Sequence, residues 1–189
     1  MKNTTTIVLT AAIALTAAAE KVPDAFIAAL RRALDSRATW TMERTFPDTS
    51  RKLVSSGTVH CVPGTGIVWT ATAPFHSRIA MTPDGMSIQD DFTDEQKASH
   101  DMPRYDELFK TVDSFASGDN DKLVKAFEIS ATQCASNGWH VVVVPKAREL
   151  RRLVPEITLD GGVTITNAVM RTHDGGISRI QFTEEAHVR

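Results

Sequence analysis

Apolar and polar residues alternate along most of this chain with a period of two, which is the spacing of β-strands. In the stretch 55–91, turn signals at Pro63-Gly64, Pro74 and 83–85 separate four short alternating runs. Because successive strand side chains point to opposite faces, these runs predict a meander with one apolar and one polar face. The predicted apolar face carries Val59, Cys61, Ile67, Trp69, Ala71, Ile79, Met81, Met86 and Ile88.

Similar runs lie on both sides of this meander. Residues 37–46 carry Trp40, Met42 and Phe46 in one phase, interrupted by Arg44, and predict the first strand. Other strands are predicted at 51–61, 126–132 (with Phe127 and Ile129 in phase), 139–145, 156–159, 163–172 and 177–184. Asp-Gly-Gly turns before the last two predict hairpins.

Two segments instead show the period of an amphipathic helix. One follows Pro23-Asp24, and the other begins at Pro103 and ends at Gly118. The second helix carries an apolar stripe of Tyr105, Leu108, Phe109, Val112 and Phe115. Residues 90–101 have no apolar period and predict an exposed loop, while 120–125 predict a turn and 146–154 a short basic helix or turn.

These elements predict an α+β fold. We expect an open, strongly curved antiparallel β-sheet, an incomplete barrel of about ten or eleven strands, with helices covering its concave apolar face. The aromatic and methionine residues of that face suit a ligand surface of variable shape, although a fully packed core is the alternative.

The N-terminus has the layout of a secretory signal peptide. A lysine at position 2 precedes an apolar run, and small residues end that run at Ala19. We therefore expect residues 1–19 to be a signal peptide, residues 20–189 to be one domain, and the mature protein to be exported. A buried N-terminal helix is the alternative. In an oxidising compartment, Cys61 and Cys134 are expected to form a disulfide, and two unpaired buried thiols are the alternative.

Charge and motifs narrow the function classes. With 21 basic and 23 acidic residues, the formal net charge is −2, which gives no sign of a nucleic-acid surface. No catalytic or nucleotide-binding motif occurs, and the six dispersed histidines form no metal-binding pair, so we expect no enzyme activity, cofactor or metal. His100 and Asp101 beside Asp90 and Asp91 form the one cluster that could hold a proton or a metal, and four solvated loop residues are the alternative.

Several short motifs in order carry a family resemblance. They are Gly66-Ile-Val-Trp69, then Ala73-Pro-Phe75, Ser77-Arg-Ile79 and Asp84-Gly85, followed by the helix 103–109. This order resembles the LolA-like family of periplasmic lipoprotein carriers over about 25–184. The resemblance implies an open barrel whose helical lid covers an acyl-binding cavity. It also implies an inner-membrane release complex and an outer-membrane acceptor as partners.

The chain departs from the carriers proper in the turn before Trp69. They have an Arg-Pro there whose arginine holds the lid, whereas this chain has Val62-Pro-Gly-Thr65. They also carry an extra C-terminal segment, so the resemblance is to a shorter LolA-related branch whose cargo can be a non-protein acyl lipid. We expect a monomeric carrier of an acylated lipid or lipoprotein; a lipid-acting enzyme and a non-transporting scaffold are the alternatives.

The resemblance and the apolar phases together define the candidate site. Its members are the apolar positions of the predicted face and the predicted lid. They are Trp40, Met42, Val59, Ile67, Trp69, Ile79, Met81, Met86, Ile88, Tyr105, Leu108, Phe109, Val112, Phe115, Phe127 and Ile129.

Overall fold

A computed structural model describes residues 22–33, 37–49, 51–62, 64–91, 93–98, 105–133 and 138–184. The helices are α1 (Asp24–Ala33), α2 (Tyr105–Ala116), α3 (Asn120–Ala126) and α4 (Arg148–Leu153). The strands are β1 (Arg37–Thr45), β2 (Lys52–Val62), β3 (Gly66–Ala73), β4 (Ser77–Thr82), β5 (Gly85–Asp90), β6 (Thr93–Ala98), β7 (Phe127–Gln133), β8 (Trp139–Pro145), β9 (Glu156–Gly161), β10 (Ile165–Arg171) and β11 (Ile177–Glu184). None of the helices in the described ranges has the length and apolar character needed to span a bilayer.

The strands form one sheet in the order β6-β5-β4-β3-β2-β1-β11-β10-β9-β8-β7. Every neighbouring pair is antiparallel. The sheet therefore consists of two meanders that meet where β1 pairs with β11, and its two edges are β6 and β7. Helices α2 and α3 connect one edge to the other along the chain. The predicted α+β fold with an open antiparallel sheet is confirmed.

One predicted loop was wrong. Residues 90–101 were expected to be irregular, but β5 continues to Asp90 and β6 covers Thr93–Ala98. The pairing of β6 with β5 is a backbone ladder, which needs no apolar side chain. A charged sequence is also what protects an edge strand from pairing with other chains. The absence of an apolar period therefore marked an edge strand here.

The packed core lies on one side of the sheet beneath α1. Phe26 of α1 is fully buried, and its ring centroid lies 5.1 Å from Trp139 and 6.1 Å from Phe115. The ring centroids of Phe115 and Phe127 are in turn 5.6 Å apart. Val141 of β8 is also fully buried in this cluster. Edge-to-face aromatic pairs of this kind stabilise a core beyond the area they bury.

Asp119 caps α3. The sequence predicted only a turn at 120–125, where the structure has this helix. Its carboxylate accepts hydrogen bonds from the backbone N–H groups of Lys122 and Asp121, and these hold the pKa of Asp119 below its ordinary value of 3.8. A carboxyl group with a lowered pKa in the folded state stabilises the fold at pH values above its ordinary pKa. This stabilisation is lost as the pH falls through the folded-state pKa.

We therefore expect Asp119→Asn to flatten the acid side of the stability profile. Asparagine still caps a helix but does not titrate, so the variant loses little at pH 7 beyond the charge on the cap. Urea unfolding measured from pH 6 down to pH 2 should show a shallower fall than in the wild type. An identical pH dependence of the two proteins would contradict this assignment.

Candidate functional site: the open half of the apolar face

The strand registers place the predicted apolar residues of β2 to β5 in two rows across the sheet. Each residue in a row is the register partner of the next. The first row is Val59, Trp69, Ile79 and Ile88, and the second is Cys61, Ile67, Met81 and Met86. Because paired residues on one face have adjacent Cβ atoms, each row is a continuous apolar strip about 14 Å wide, three strand spacings of about 4.8 Å.

The same face continues across β1 and β11 to β7, where it is closed. The same face is carried across these strands by register partners Trp40 and Phe182, and by Met42, Ile180, Ala168, Leu159 and Val141. Most of them are buried in the core cluster with α1 residues such as Phe26 and Leu30. We call this part, β7 to β11 together with β1, the covered half.

The face of β2 to β5 is not closed in this way, and we call it the open half. Ile79 is 37% exposed and Ile88 is 38% exposed, although both lie on the face that is buried across the rest of the sheet. Ile67, Met81 and Met86 are half-buried, and Leu53 near the start of β2 is exposed. Apolar side chains collected on one exposed face are characteristic of a binding surface.

A stacked pair of indoles lies at the boundary between the two halves. The rings of Trp40 and Trp69 are 4.7 Å apart and nearly parallel, and Phe182 meets Trp69 edge-on at 6.3 Å. Trp40 is the register partner of Gly57 on β2. A Cβ atom at Gly57 would lie 1.9 Å from the carbonyl oxygen of Thr70, so only glycine allows β2 and β3 to approach this closely.

Helix α2 packs against α1, α3 and strand β3 of the open half. Its Asp113 accepts a hydrogen bond from the backbone N–H of Gly64, in the β2–β3 turn, and lies 3.4 Å from Nζ of Lys122. The end of the helix is fixed to α1 because Arg31 donates to the carbonyl of Gly118. These polar contacts join α2 and the turn after it to the β2–β3 turn, α3 and α1.

The face that α2 buries differs from the predicted stripe. Thr111 is 6% exposed and Ser114 is 3% exposed, whereas Phe109 and Val112 are half-buried. Small polar residues pack closely against a neighbouring helix when their hydroxyls are satisfied locally, and the Ser114 hydroxyl donates to the Thr111 carbonyl. Phe115 alone of the described stripe residues enters the aromatic core. The side chains of Tyr105 and Leu108 lie outside the described part of the structure.

The other candidate site residues divide by exposure. Trp40 and Phe127 are buried, and Met42, Val59, Trp69 and Ile129 are partly buried against the core. Cys61 lies in the second row, half-buried, while Cys134 lies outside the described residues, so the predicted disulfide falls there too.

The two histidine–carboxylate pairs in the described residues lie away from the apolar face. His76 and Asp91 interact in the loop after β3, where the His76 backbone N–H donates to the carboxylate. His140 and Asp160 are 2.7 Å apart on the polar face of β8 and β9. His100, which the enzyme alternative requires, lies outside the described residues. Within the described ranges, no group of three or more acidic, histidine or cysteine residues is arranged to hold a metal.

Comparison with known proteins finds solved structures whose fold is similar to that of this chain. No protein-family model matches the chain, and no curated protein matches it in sequence. A LolA superfamily protein from Nitrosomonas europaea is 8% identical with a TM-score of 0.46, over 84% of this chain and 88% of that one. A domain named for outer-membrane lipoprotein sorting, from Vibrio parahaemolyticus, is 9% identical with a TM-score of 0.34, over 86% and 92%.

A chain of the Pseudomonas aeruginosa MucA/MucB complex is 10% identical, with a TM-score of 0.42 over 84% of this chain and 54% of that chain. This protein thus spans about half of that neighbour. LolA superfamily proteins are among the solved structures similar to this chain, as the sequence resemblance predicts. At these identities and TM-scores the likeness carries no argument about function, which has to come from the chain's own residues.

Proposed function

We propose that this protein is a periplasmic carrier that binds the acyl chains of a lipid or lipoprotein on the open half and transfers them between membranes. The observation that carries the proposal is the contrast between the halves. One continuous apolar face is buried under helices across β7 to β11 and left partly exposed across β2 to β5, where Ile79 and Ile88 are more than one third exposed. An apolar ligand that binds reversibly would cover the exposed part of this face.

The free energies involved suit a carrier. Each methylene removed from water is worth about 0.8 kcal/mol, so a sixteen-carbon chain left in water costs on the order of 12 kcal/mol. The two apolar rows, with Trp69 and Met81 at their centre, offer surface for such a chain, and methionine adapts to chains of different shape. Release also has to be possible, and the exposure of Ile79 and Ile88 leaves this surface accessible from solvent.

The rest of the proposal rests on the N-terminal sequence and on the resemblance to the LolA-like family. Residues 1–19 act as the signal peptide, residues 20–189 form the carrier domain, and an inner-membrane donor and an outer-membrane acceptor are its partners. The protein transfers its cargo without making or breaking a covalent bond. The cargo is an acylated lipid or the acyl part of a lipoprotein.

Transfer between vesicles tests the proposal. Donor vesicles carry a fluorescent acyl lipid with a non-exchangeable quencher, and acceptor vesicles carry neither. We expect the mature protein, at a concentration far below that of the lipid, to accelerate the rise in fluorescence over spontaneous exchange. Native mass spectrometry of freshly purified protein should show a bound acyl species of unchanged covalent structure.

Failure has two distinguishable forms. A protein that binds no acyl lipid and accelerates no transfer leaves the scaffold alternative. A protein that releases a hydrolysed or otherwise modified lipid is an enzyme, and mass spectrometry of the extracted lipids detects the product.

A further inference from the structure

Three buried polar atoms lie on the apolar face of β1 and β2 with no hydrogen-bond partner among the described residues. They are Nε1 of Trp40, Oγ of Ser55 and Nε of Arg44. Trp40 is 3% exposed and Ser55 is 8% exposed, so bulk water reaches neither side chain freely. A buried polar atom without a partner is costly, and several in one region point to a partner that the described residues do not supply.

The strand register brings these atoms into one region. Ser55 is the partner of Met42, which lies between Trp40 and Arg44 on the same face of β1. At about 3.3 Å per residue, Trp40 and Arg44 are about 13 Å apart along the strand, with Ser55 level with the midpoint. We call these three residues the donor cluster. It adjoins the open half, because Trp40 stacks on Trp69, a member of the first apolar row.

The chemistry of the donor cluster specifies its ligand. An indole and a guanidinium carry N–H donors and no acceptor, and a serine hydroxyl can donate as well. The cluster therefore matches oxygen acceptors and mismatches another donor. Arg44 adds positive charge, and Asp174, 3.8 Å from its Nη2, holds the guanidinium at the far end of the cluster. Phe46 supports it from one side, at 5.2 Å from ring centroid to Cζ.

We propose that the donor cluster binds the acyl carbonyl group of the ligand, so that the head of an acyl chain is fixed at Ser55 while its methylenes lie on the apolar rows. This inference rests on the proposed function and adds the polar end of the site. A free carboxylate and an ester share the carbonyl oxygen that the cluster recognises. An amphiphile with a cationic head offers no acceptor and meets the positive charge of Arg44.

Three ligands with twelve-carbon chains test the inference by displacing a fluorescent acyl probe. Each is used below its micelle concentration or solubility limit. They are laurate, methyl laurate and dodecyltrimethylammonium. We expect the wild type to bind laurate and methyl laurate about tenfold more tightly than the cation, as one or two hydrogen bonds imply. A preference for laurate over methyl laurate assigns the natural head group as a carboxylate, and equal affinity assigns an ester.

Ser55→Ala and Trp40→Phe each remove one donor, and Trp40→Phe keeps an aromatic ring at its position. We expect both to reduce the preference over the cation to about threefold or less, with the affinity for the cation changed little. Ser56→Ala is the matched control, because Ser56 is the next residue of β2 and its side chain lies on the opposite face. That variant should keep the wild-type preference.

The ligand-free protein gives a second readout. Because Ser55→Ala removes a buried hydroxyl that has no partner, its midpoint of urea unfolding should equal or exceed that of the wild type. A lowered midpoint would mean that Ser55 has a structural partner, and would overturn its place in the cluster. Equal head-group preference in the wild type and both variants, with all three amphiphiles bound, overturns the inference and leaves the carrier proposal standing. If none of the three displaces the probe, the carrier proposal fails as well.

Discussion

Ile79→Glu is expected to abolish acyl binding and leave the fold intact. Ile79 lies at the centre of the first apolar row, between Trp69 and Ile88, and is 37% exposed in the protein without ligand. Before binding, a glutamate there keeps much of its hydration, so the free energy of unfolding should fall by only about 1 kcal/mol. When an acyl chain covers it, the unpaired carboxylate loses water at a cost of several kcal/mol, which is a loss of affinity of a hundredfold or more.

The measurement is displacement of a fluorescent acyl probe, with urea unfolding beside it. Gln89→Glu is the matched control, since it introduces the same charge at an exposed position of β5 on the polar face, opposite Arg78. It should bind as the wild type does. Wild-type affinity in Ile79→Glu would show that acyl chains do not lie on the open half.

Phe26→Ala is expected to have the largest effect on stability. Phe26 is fully buried between Trp139 and Phe115 and joins α1 to the covered half. Truncating a buried phenylalanine leaves a cavity and typically costs about 3–5 kcal/mol. Whole domains are stable by about 5–15 kcal/mol, so the variant should unfold at a much lower urea concentration.

Phe75→Ala provides the comparison for this truncation. Phe75 follows Pro74 after β3 and is 57% exposed, so the same deletion should cost about 1 kcal/mol or less. Equal losses in the two variants would mean that α1 does not seal the covered half. Binding of the acyl probe by folded Phe26→Ala, measured at low temperature, should be unchanged because Phe26 does not face the open half.

The period-two pattern was enough to predict which residues of β2 to β5 share the apolar face. Each residue predicted for that face from Val59 to Ile88 falls in the expected phase, because a residue's face in a strand depends only on its parity. The pattern missed β6 for a related reason. An edge strand is held by its backbone ladder, so its side chains need not alternate in polarity.

Which parts of the apolar face are covered was not predictable from the pattern. Phe26 of α1 and Ile79 of β4 are both apolar residues on the apolar phase of their element, yet Phe26 is fully buried and Ile79 is 37% exposed. The difference depends on where the helices cross the sheet, which is a long-range property. The donor cluster was missed similarly. Arg44 stood out only as an interruption of an apolar run, and Ser55 gave no signal until register placed it opposite Met42.

The joining of the two meanders through β1 and β11 has a kinetic consequence. The Thr39 hydroxyl donates to the carbonyl of Thr183, 144 positions later, so this ladder forms only after nearly the whole chain is available. Contacts this distant in sequence close slowly. Until β11 arrives, β1 has a bare edge and Trp40 an uncovered ring, which are the features that favour aggregation. A newly made chain therefore depends on protection until β11 is free to pair with β1.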